Sequence, residues 1–313
     1  MLTALGVVRL TRQYRTGPDG GRFPADDDLG VHGYLTAGAQ QLAAFAGARD
    51  SFARAQHTLR ALCGWNPDDE VIRTLTHATA RRAAATRDTR ADDDRFTRAE
   101  DPIEVQVDAG KVNTPAGWRD VKVAVFARRP VGDPRGLSDW DQQELPGPVV
   151  RTVVAAVEEA ELFRARVRAE ADRLNVTGAA DVTVLGDGAE WIWNLGAEVL
   201  PQGAGVLDAF HALEHVSAAV KAVWGDGTAV TASRVASGRA ALLGEGKRGI
   251  EAWIGDRCRE LPPGAAVDPL VDLAAYLAPH PTHLNYAARL GQGRSIGSGC
   301  GVPLWILARY WFS

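Results

Sequence analysis

Ile103-Glu-Val-Gln-Val-Asp108 and Val182-Thr-Val-Leu-Gly-Asp187 are two short apolar runs that each end on an aspartate. Their length and their β-branched residues read as strands. An acid where a buried strand opens onto a loop costs stability unless water, a hydrogen bond or a cation compensates it. Two such acids point to a shared metal. A third acid, Asp208, closes the run Ala204-Gly-Val-Leu207 and is followed by Ala-Phe-His211-Ala-Leu-Glu214-His215.

Around these runs the pattern alternates. Strands are expected at 103–108, 119–127, 150–156, 181–186 and 204–208, with helices over 158–174 and 188–200, which favours an α/β layer. Short connections make the first three strands antiparallel, whereas the later ones, joined through helices, are parallel. Beyond Asp208 the chain is mainly helical to about Arg289, with breaks at Gly225-Asp-Gly227, 244–249 and Pro262-Pro-Gly264. Towards the N-terminus, 36–48 and 51–63 carry apolar i, i+3, i+4 spacing, Asp50-Ser51 offers a cap, and Gly64-Trp-Asn-Pro67 ends the second helix. Asp68-Asp-Glu70 supplies acids to the first turn of a third, on which Arg73, Thr76, His77, Arg81 and Arg82 permit the second helix of a helix-turn-helix DNA reader. The mixed-charge stretch 87–100 reads as a linker, and the first 33 residues as β-like and loop-rich.

At 313 residues and 46% hydrophobic, the chain can bury a substantial core. It has no apolar run long enough to span a membrane, and Arg9 and Arg12 follow its short apolar start, the reverse of a signal peptide. A cytoplasmic protein without membrane partners is the expectation. Cys63, Cys258 and Cys300 are unclustered, which suits inert thiols. A net charge of −4 offers no global footprint for nucleic acid. Arginine clusters at 81–82, 128–129 and 164–168 are local phosphate contacts or solvated faces.

The blocks Asp187-Gly-Ala-Glu-Trp191-Ile-Trp-Asn194, Val-Leu-Asp208-Ala-Phe-His211-Ala-Leu-Glu-His215 and Ile296-Gly-Ser-Gly299 resemble the signatures of bacterial insertion-sequence transposases of the ISKra group, relatives of the Mutator-like DDE transposases. Upstream, Leu5-Gly-Val-Val-Arg-Leu-Thr-Arg12, Arg22-Phe-Pro-Ala-Asp-Asp-Asp-Leu-Gly30 and Val107-Asp108-Ala-Gly-Lys-Val are similar to the group's earlier blocks. The resemblance implies an α/β fold with an RNase H-like mixed-sheet core at 101–208, preceded by a β/loop segment at 1–35 and a helical DNA-binding region with linker at 36–100. An all-helical insertion at 209–290 and a truncated segment at 291–313 would follow. It implies metal-dependent cleavage and transfer of DNA strands, with Asp108 and Asp187 binding Mg²⁺ in a two-metal site that also accepts Mn²⁺, and Asp208 and His211 in support. Arg73, Arg81 and Arg82 would contact DNA, the partners being terminal repeats, target DNA and further copies of the chain. Two oxygen-liganded ions would stabilise the attacking and leaving oxygens.

Two departures stand out. The cysteine pair of a zinc ribbon, common before the Phe-Pro block in the group, is replaced by Tyr14-Arg-Thr-Gly-Pro-Asp-Gly-Gly21. The catalytic glutamate expected within about three residues of Gly297-Ser-Gly299 is also missing, since Cys300-Gly-Val-Pro-Leu-Trp-Ile-Leu-Ala-Arg-Tyr-Trp-Phe-Ser313 contains no acid. A shifted reading frame and a catalytically defective enzyme are therefore expected, and Glu245, Glu251 and Glu260 have nothing in their context to recommend them as substitutes. A non-catalytic DNA-binding remnant is one alternative. Another is a zinc peptidase, because His211-Ala-Leu-Glu214-His215 also fits His-x-x-Glu-His. Plainer readings are strand-end acids that cap turns and a hydrogen-bonded histidine pair at a helix start. A serine hydrolase built on Gly293-Arg-Ser295-Ile-Gly297 fails, because neither an acid nor a histidine follows Ser295.

Overall fold

The computed structural model describes residues 1–297, except 10, 19, 32, 88–92, 115–116 and 264–265. Among the described residues the chain divides into two compact units, one built from 1–90 with 111–119, the other from 91–110 and 120–297.

In the first unit, strands β1 (Leu2–Thr3) and β2 (Gly6–Val7) form one small ribbon, and β3 (Arg15–Gly17) and β4 (Gly20–Arg22) another. Helix α1 (Pro24–Asp28) leads to α2 (Ala37–Arg49), α3 (Phe52–Cys63) and α4 (Asp69–Arg87). Thr36 caps α2 by accepting the Ala39 N–H, and Ser51 caps α3 by accepting that of Arg54. Gly64, at φ 66°, ends α3 in the left-handed conformation that glycine adopts without strain. Ala39, Ala43, Ala55, Leu59, Trp65 and Ile72 bury one another between the three helices. The approach of α2 to α4 requires Gly47, because a methyl there would overlap the Thr76 hydroxyl and lie 2.8 Å from Ile72 Cγ2. Gly47→Ala should gain about 1 kcal/mol in helix propensity but lose more, on the order of 1–3 kcal/mol, to overpacking. Amide exchange of α2 and α4 in the full chain should therefore quicken; unchanged or slower exchange would show that these helices are not packed as closely as described.

The second unit is a five-stranded mixed sheet with helices on both faces. Its strands are β5 (Ile103–Thr114) and β6 (Gly117–Arg128), apart from their 111–119 ends, with β7 (Val150–Ala156), β8 (Val182–Gly186) and β9 (Ala204–Leu207), in spatial order β7-β6-β5-β8-β9. β6 and β7 are antiparallel, whereas β8 runs parallel to both β5 and β9. Helices α6 (Ala160–Arg173) and α7 (Glu190–Val199) make the two crossovers. Alternation along β5 sends Ile103, Val105 and Val107 into the core with Phe163 and Val167 of α6 and Ile192 and Leu195 of α7. Glu104, Gln106 and Asp108 consequently belong to the other face.

That other face is covered by α8 (Ala209–Trp224), α9 (Ala229–Glu260), α10 (Asp268–Leu277) and α11 (Tyr286–Gly291), which pack with Leu185, Val206 and Leu207. Gly225, at φ 80°, ends α8. Within α9, Gly246 leaves helical geometry at φ 58°, and its missing side chain admits the Leu284 carbonyl oxygen, which a Cβ would meet at 2.5 Å.

One stretch differs from its sequence reading. The 87–100 region contains a helix, α5 (Asp93–Arg98), whose Phe96 is only 1% exposed in the core under α6. The Arg128 guanidinium lies over that ring, and its Nε donates to the Phe96 carbonyl at 3.1 Å. A single aromatic anchor binds a segment whose composition is otherwise that of a linker. Among the described residues, no helix is long and apolar enough to cross a membrane.

Candidate active site

Strand register brings the acids together. Val107 of β5 pairs with Gly186 of β8, and Gly186 pairs in turn with Leu207 of β9. The next residue on each strand is Asp108, Asp187 or Asp208, so three carboxylates leave the sheet at one level. Asp208 is tied further by its N–H, which donates to the Gly186 carbonyl at 2.8 Å.

Each acid also serves its own turn. Asp108 Oδ1 accepts the Ala109 N–H at 2.7 Å, and Asp187 Oδ1 accepts that of Ala189 at 2.9 Å. Asp208, 7% exposed, caps α8 by accepting from Phe210 N at 2.8 Å and His211 N at 3.1 Å. Their mutual field is felt at Asp108, whose carboxyl is held above the usual carboxylate range by burial and by the negative charges of Asp187 and Asp208, against the pull of the Ala109 N–H and His211. This repulsion is the kind that a divalent cation relieves.

The donor set is carboxylate oxygen, which suits Mg²⁺, an ion that needs only one or two protein carboxylates and keeps its waters. Asp108 and Asp187 fit that requirement. Among the described residues, no group of three His, Cys, Asp or Glu side chains is close enough to form a full ligand set. Asp208 spends Oδ1 on two amides and holds the start of α8. Glu245, Glu251 and Glu260 are engaged elsewhere, with Arg248 at 2.9 Å, Lys247 at 3.6 Å and Arg234 at 2.7 Å respectively.

A cluster of aromatic and imidazole rings backs the acids. His211 meets His215 edge-on with centroids 5.1 Å apart, and His215 stacks on Tyr276 at 3.9 Å. Trp193 stacks on His283 at 4.3 Å and lies 5.2 Å from His280. Burial lowers the pKa of His215, His280 and His283. Burial, followed by the charges of Asp187 and Asp208, raises that of the Tyr276 phenol. Gly188, directly after Asp187, lets the Tyr276 ring close in, since a Cβ there would overlap it. The sequence reading missed Tyr276, His280 and His283. Their only signal is a Tyr-x-x-x-His-x-x-His spacing in a region read as the helical insertion. Glu214 lies 3.7 Å from His211 and is mostly exposed.

The arginine clusters divide by environment. Arg73 pairs with Glu70 through Nε at 2.7 Å, Arg82 donates to Thr79 at 3.2 Å, and Arg81 is exposed. All three lie on α4 in the first unit, and the acids lie in the second. Arg129 is buried against Glu104 at 2.9 Å, Arg164 pairs with Glu161 and Glu198, and Arg166 pairs with Glu158. The arginines at 128–129, 164 and 166 therefore have structural work that the sequence does not reveal.

Ser295 is 1% exposed and donates to Glu104, so it is no nucleophile. Cys63 and Cys258 are free thiols. Ser298 and Gly299 of the last signature block, together with Cys300 and the tail, lie outside the described residues. No protein-family model matches this chain, and no curated protein matches it in sequence.

Proposed function

We propose that this chain is a DNA transposase of an insertion sequence, with an RNase H-like core and a DDE-type site that is catalytically impaired. The observation that carries the reading is the register Val107–Gly186–Leu207, which brings Asp108, Asp187 and Asp208 to one edge of the sheet. A mixed sheet of order β7-β6-β5-β8-β9, with β6 and β7 antiparallel and β8 parallel to its neighbours, suits the RNase H-like core that the resemblance implies. The helices after Asp208 correspond to its insertion, and α2 to α4 to its DNA-binding region, with Arg73, Arg81 and Arg82 facing the DNA.

Asp108 and Asp187 would hold Mg²⁺ or Mn²⁺, which supplies charge stabilisation for the attacking and leaving oxygens of a phosphodiester. Asp208 fixes the start of α8, and with it His211, beside those carboxylates. The residues directly after Gly297-Ser-Gly299 are Cys300, Gly301 and Val302, where the resemblance implies a glutamate, and positioning carries much of the rate in phosphoryl transfer. Weak strand cleavage follows from that loss. The zinc-peptidase alternative is less well supported, because His215 stacks on Tyr276 and the downstream glutamates pair elsewhere.

The test is Mn²⁺ binding, followed by electron paramagnetic resonance, combined with nicking of duplex DNA that carries the ends of the flanking element. The expected result is bound Mn²⁺ that Mg²⁺ displaces, duplex binding and little cleavage. Tight zinc that is lost in His211→Ala, with no affinity for DNA, would overturn the reading. Vigorous cleavage would overturn the impairment alone.

A further inference from the structure

We propose that Phe210, Trp140 and Arg239 form a seat for an unpaired nucleobase beside the carboxylates. The inference rests on the transposase reading and names the state of the DNA that this site receives.

Phe210 is the second residue of α8. Its neighbours Ala209 and Ala212 are fully buried, yet its own ring is 53% exposed. The backbone that carries the ring is tied to the site, because the Phe210 N–H donates to Asp208 Oδ1 at 2.8 Å. A methyl built on Gly297 would lie 2.7 Å from the Phe210 ring and 3.3 Å from that same oxygen, so ring and carboxylate both pack closely on Gly297. Trp140, in the 3-10 turn Trp140–Gln142, tilts against Phe210 with centroids 5.6 Å apart. The Arg239 guanidinium of α9 lies 5.7 Å from the Trp140 ring centroid and has no carboxylate partner among the described residues. Three elements thus present an aromatic surface and an uncompensated cation at the rim of an acidic site.

These chemistries select a nucleotide with its base exposed. An aromatic face stacks on any base, whichever its sequence, and an arginine meets the phosphate that follows. In a closed duplex the base faces are hidden by their neighbours, so a strand end that is frayed or flipped out is the form that fits. The acids alone would repel DNA. Arg239 lowers that barrier where the strand arrives.

The full-length protein is tested with fluorescein-labelled duplexes, blunt or bearing a short single-stranded tail with 2-aminopurine at the junction, in Ca²⁺ buffer. The tail should raise affinity roughly tenfold, the scale of one stacked base, and 2-aminopurine fluorescence should fall on binding. Phe210→Ala should erase both effects without changing blunt-duplex affinity, and Phe210→Trp should retain them. Arg239→Ala should weaken tail binding and reduce its salt dependence. Blunt-duplex binding with no advantage from the tail, or an advantage that survives Phe210→Ala, overturns the seat and leaves the transposase reading standing. Absence of binding to any DNA overturns both. If Phe210→Ala changes only self-association in sedimentation, the patch is a contact between copies and the proposal fails.

Discussion

Asp108→Asn is expected to make the protein more stable and, on the proposed metal-site reading, to weaken divalent-cation binding. The carboxyl of Asp108 is held above the ordinary carboxylate range because burial penalises its charge and Asp187 and Asp208 repel it. A carboxyl whose folded-state pKa is raised destabilises the fold when ionised. The penalty is absent below the unfolded-state pKa, grows as pH rises towards the raised folded value, and is fully present above it. Asparagine removes the charge but keeps an Oδ1 that can accept the Ala109 N–H. The gain should be about 1 kcal/mol at neutral pH, within the ordinary scale of single substitutions. It should vanish on acidification, so that the wild type and Asp108→Asn melt together at low pH and diverge above it. Cation affinity should fall by on the order of 100-fold or more, at least the loss seen when mere supporting groups of a metal site are removed. Thermal melts across pH, with and without Mn²⁺, test both halves. A less stable variant, or one that binds Mn²⁺ like the wild type, would show that Asp108 serves its turn and nothing else. Opposite signs for stability and binding are what separate a functional acid from a structural one.

Much of this arrangement was readable from the sequence because it depends on local pattern. The expected strands at 103–108, 150–156, 181–186 and 204–208 coincide with β5 and β7 to β9 to within a residue or so at most ends, although β5 continues to Thr114. Thr36 and Ser51 bound their helices through their hydroxyls, and Gly64 ends one through its left-handed backbone. The antiparallel pairing of β6 with β7 and the parallel pairings of β8 with β5 and β9 followed from connection length alone. What stayed hidden depends on partners distant in sequence. Phe96 looks like one aromatic in a charged linker until β6 and α6 enclose it. Arg129 looks like half of a basic patch until Glu104, twenty-five residues earlier, accepts from it. Tyr276, His280 and His283 gain their place beside the acids only because α10 and the turn after it return to Gly188 and Gly205. Asp208 lay between the two cases. Its motif was visible, but its alignment with Asp108 and Asp187 required the register of three strands.

The largest loss of stability should come from Glu104→Ala. Glu104 points to the same face of β5 as Asp108 and is buried with Arg129 and Arg289, both nearly inaccessible. It accepts from Arg129 Nε at 2.9 Å and from Ser295 Oγ. Arg289 donates to the Ser295 carbonyl at 2.7 Å, and burial pushes its pKa down to about 10 even with Glu104 nearby to support the charge. Removing the carboxylate strands two buried guanidiniums on one side, a change that costs about 3–5 kcal/mol when one partner of a buried pair is lost. Ser295→Ala, which removes one hydroxyl, should cost only about 1 kcal/mol. The damage should also reach the acids, because the same segment runs on to Ile296, whose carbonyl accepts the Ala209 N–H at 2.9 Å, and to Gly297 beside Asp208. Hydrogen exchange at Ala209 should therefore accelerate in Glu104→Ala more than at amides of α6 on the opposite face of the sheet. Urea titrations give the stabilities. A loss within about 1 kcal/mol, comparable to that of Ser295→Ala, would mean that water reaches these charges and that the network does not anchor the start of α8. The expected outcome would make Gly293-Arg-Ser295-Ile-Gly297, which imitates a hydrolase elbow in sequence, the fastening that holds the end of the helical region against the edge of the sheet where Asp108, Asp187 and Asp208 meet.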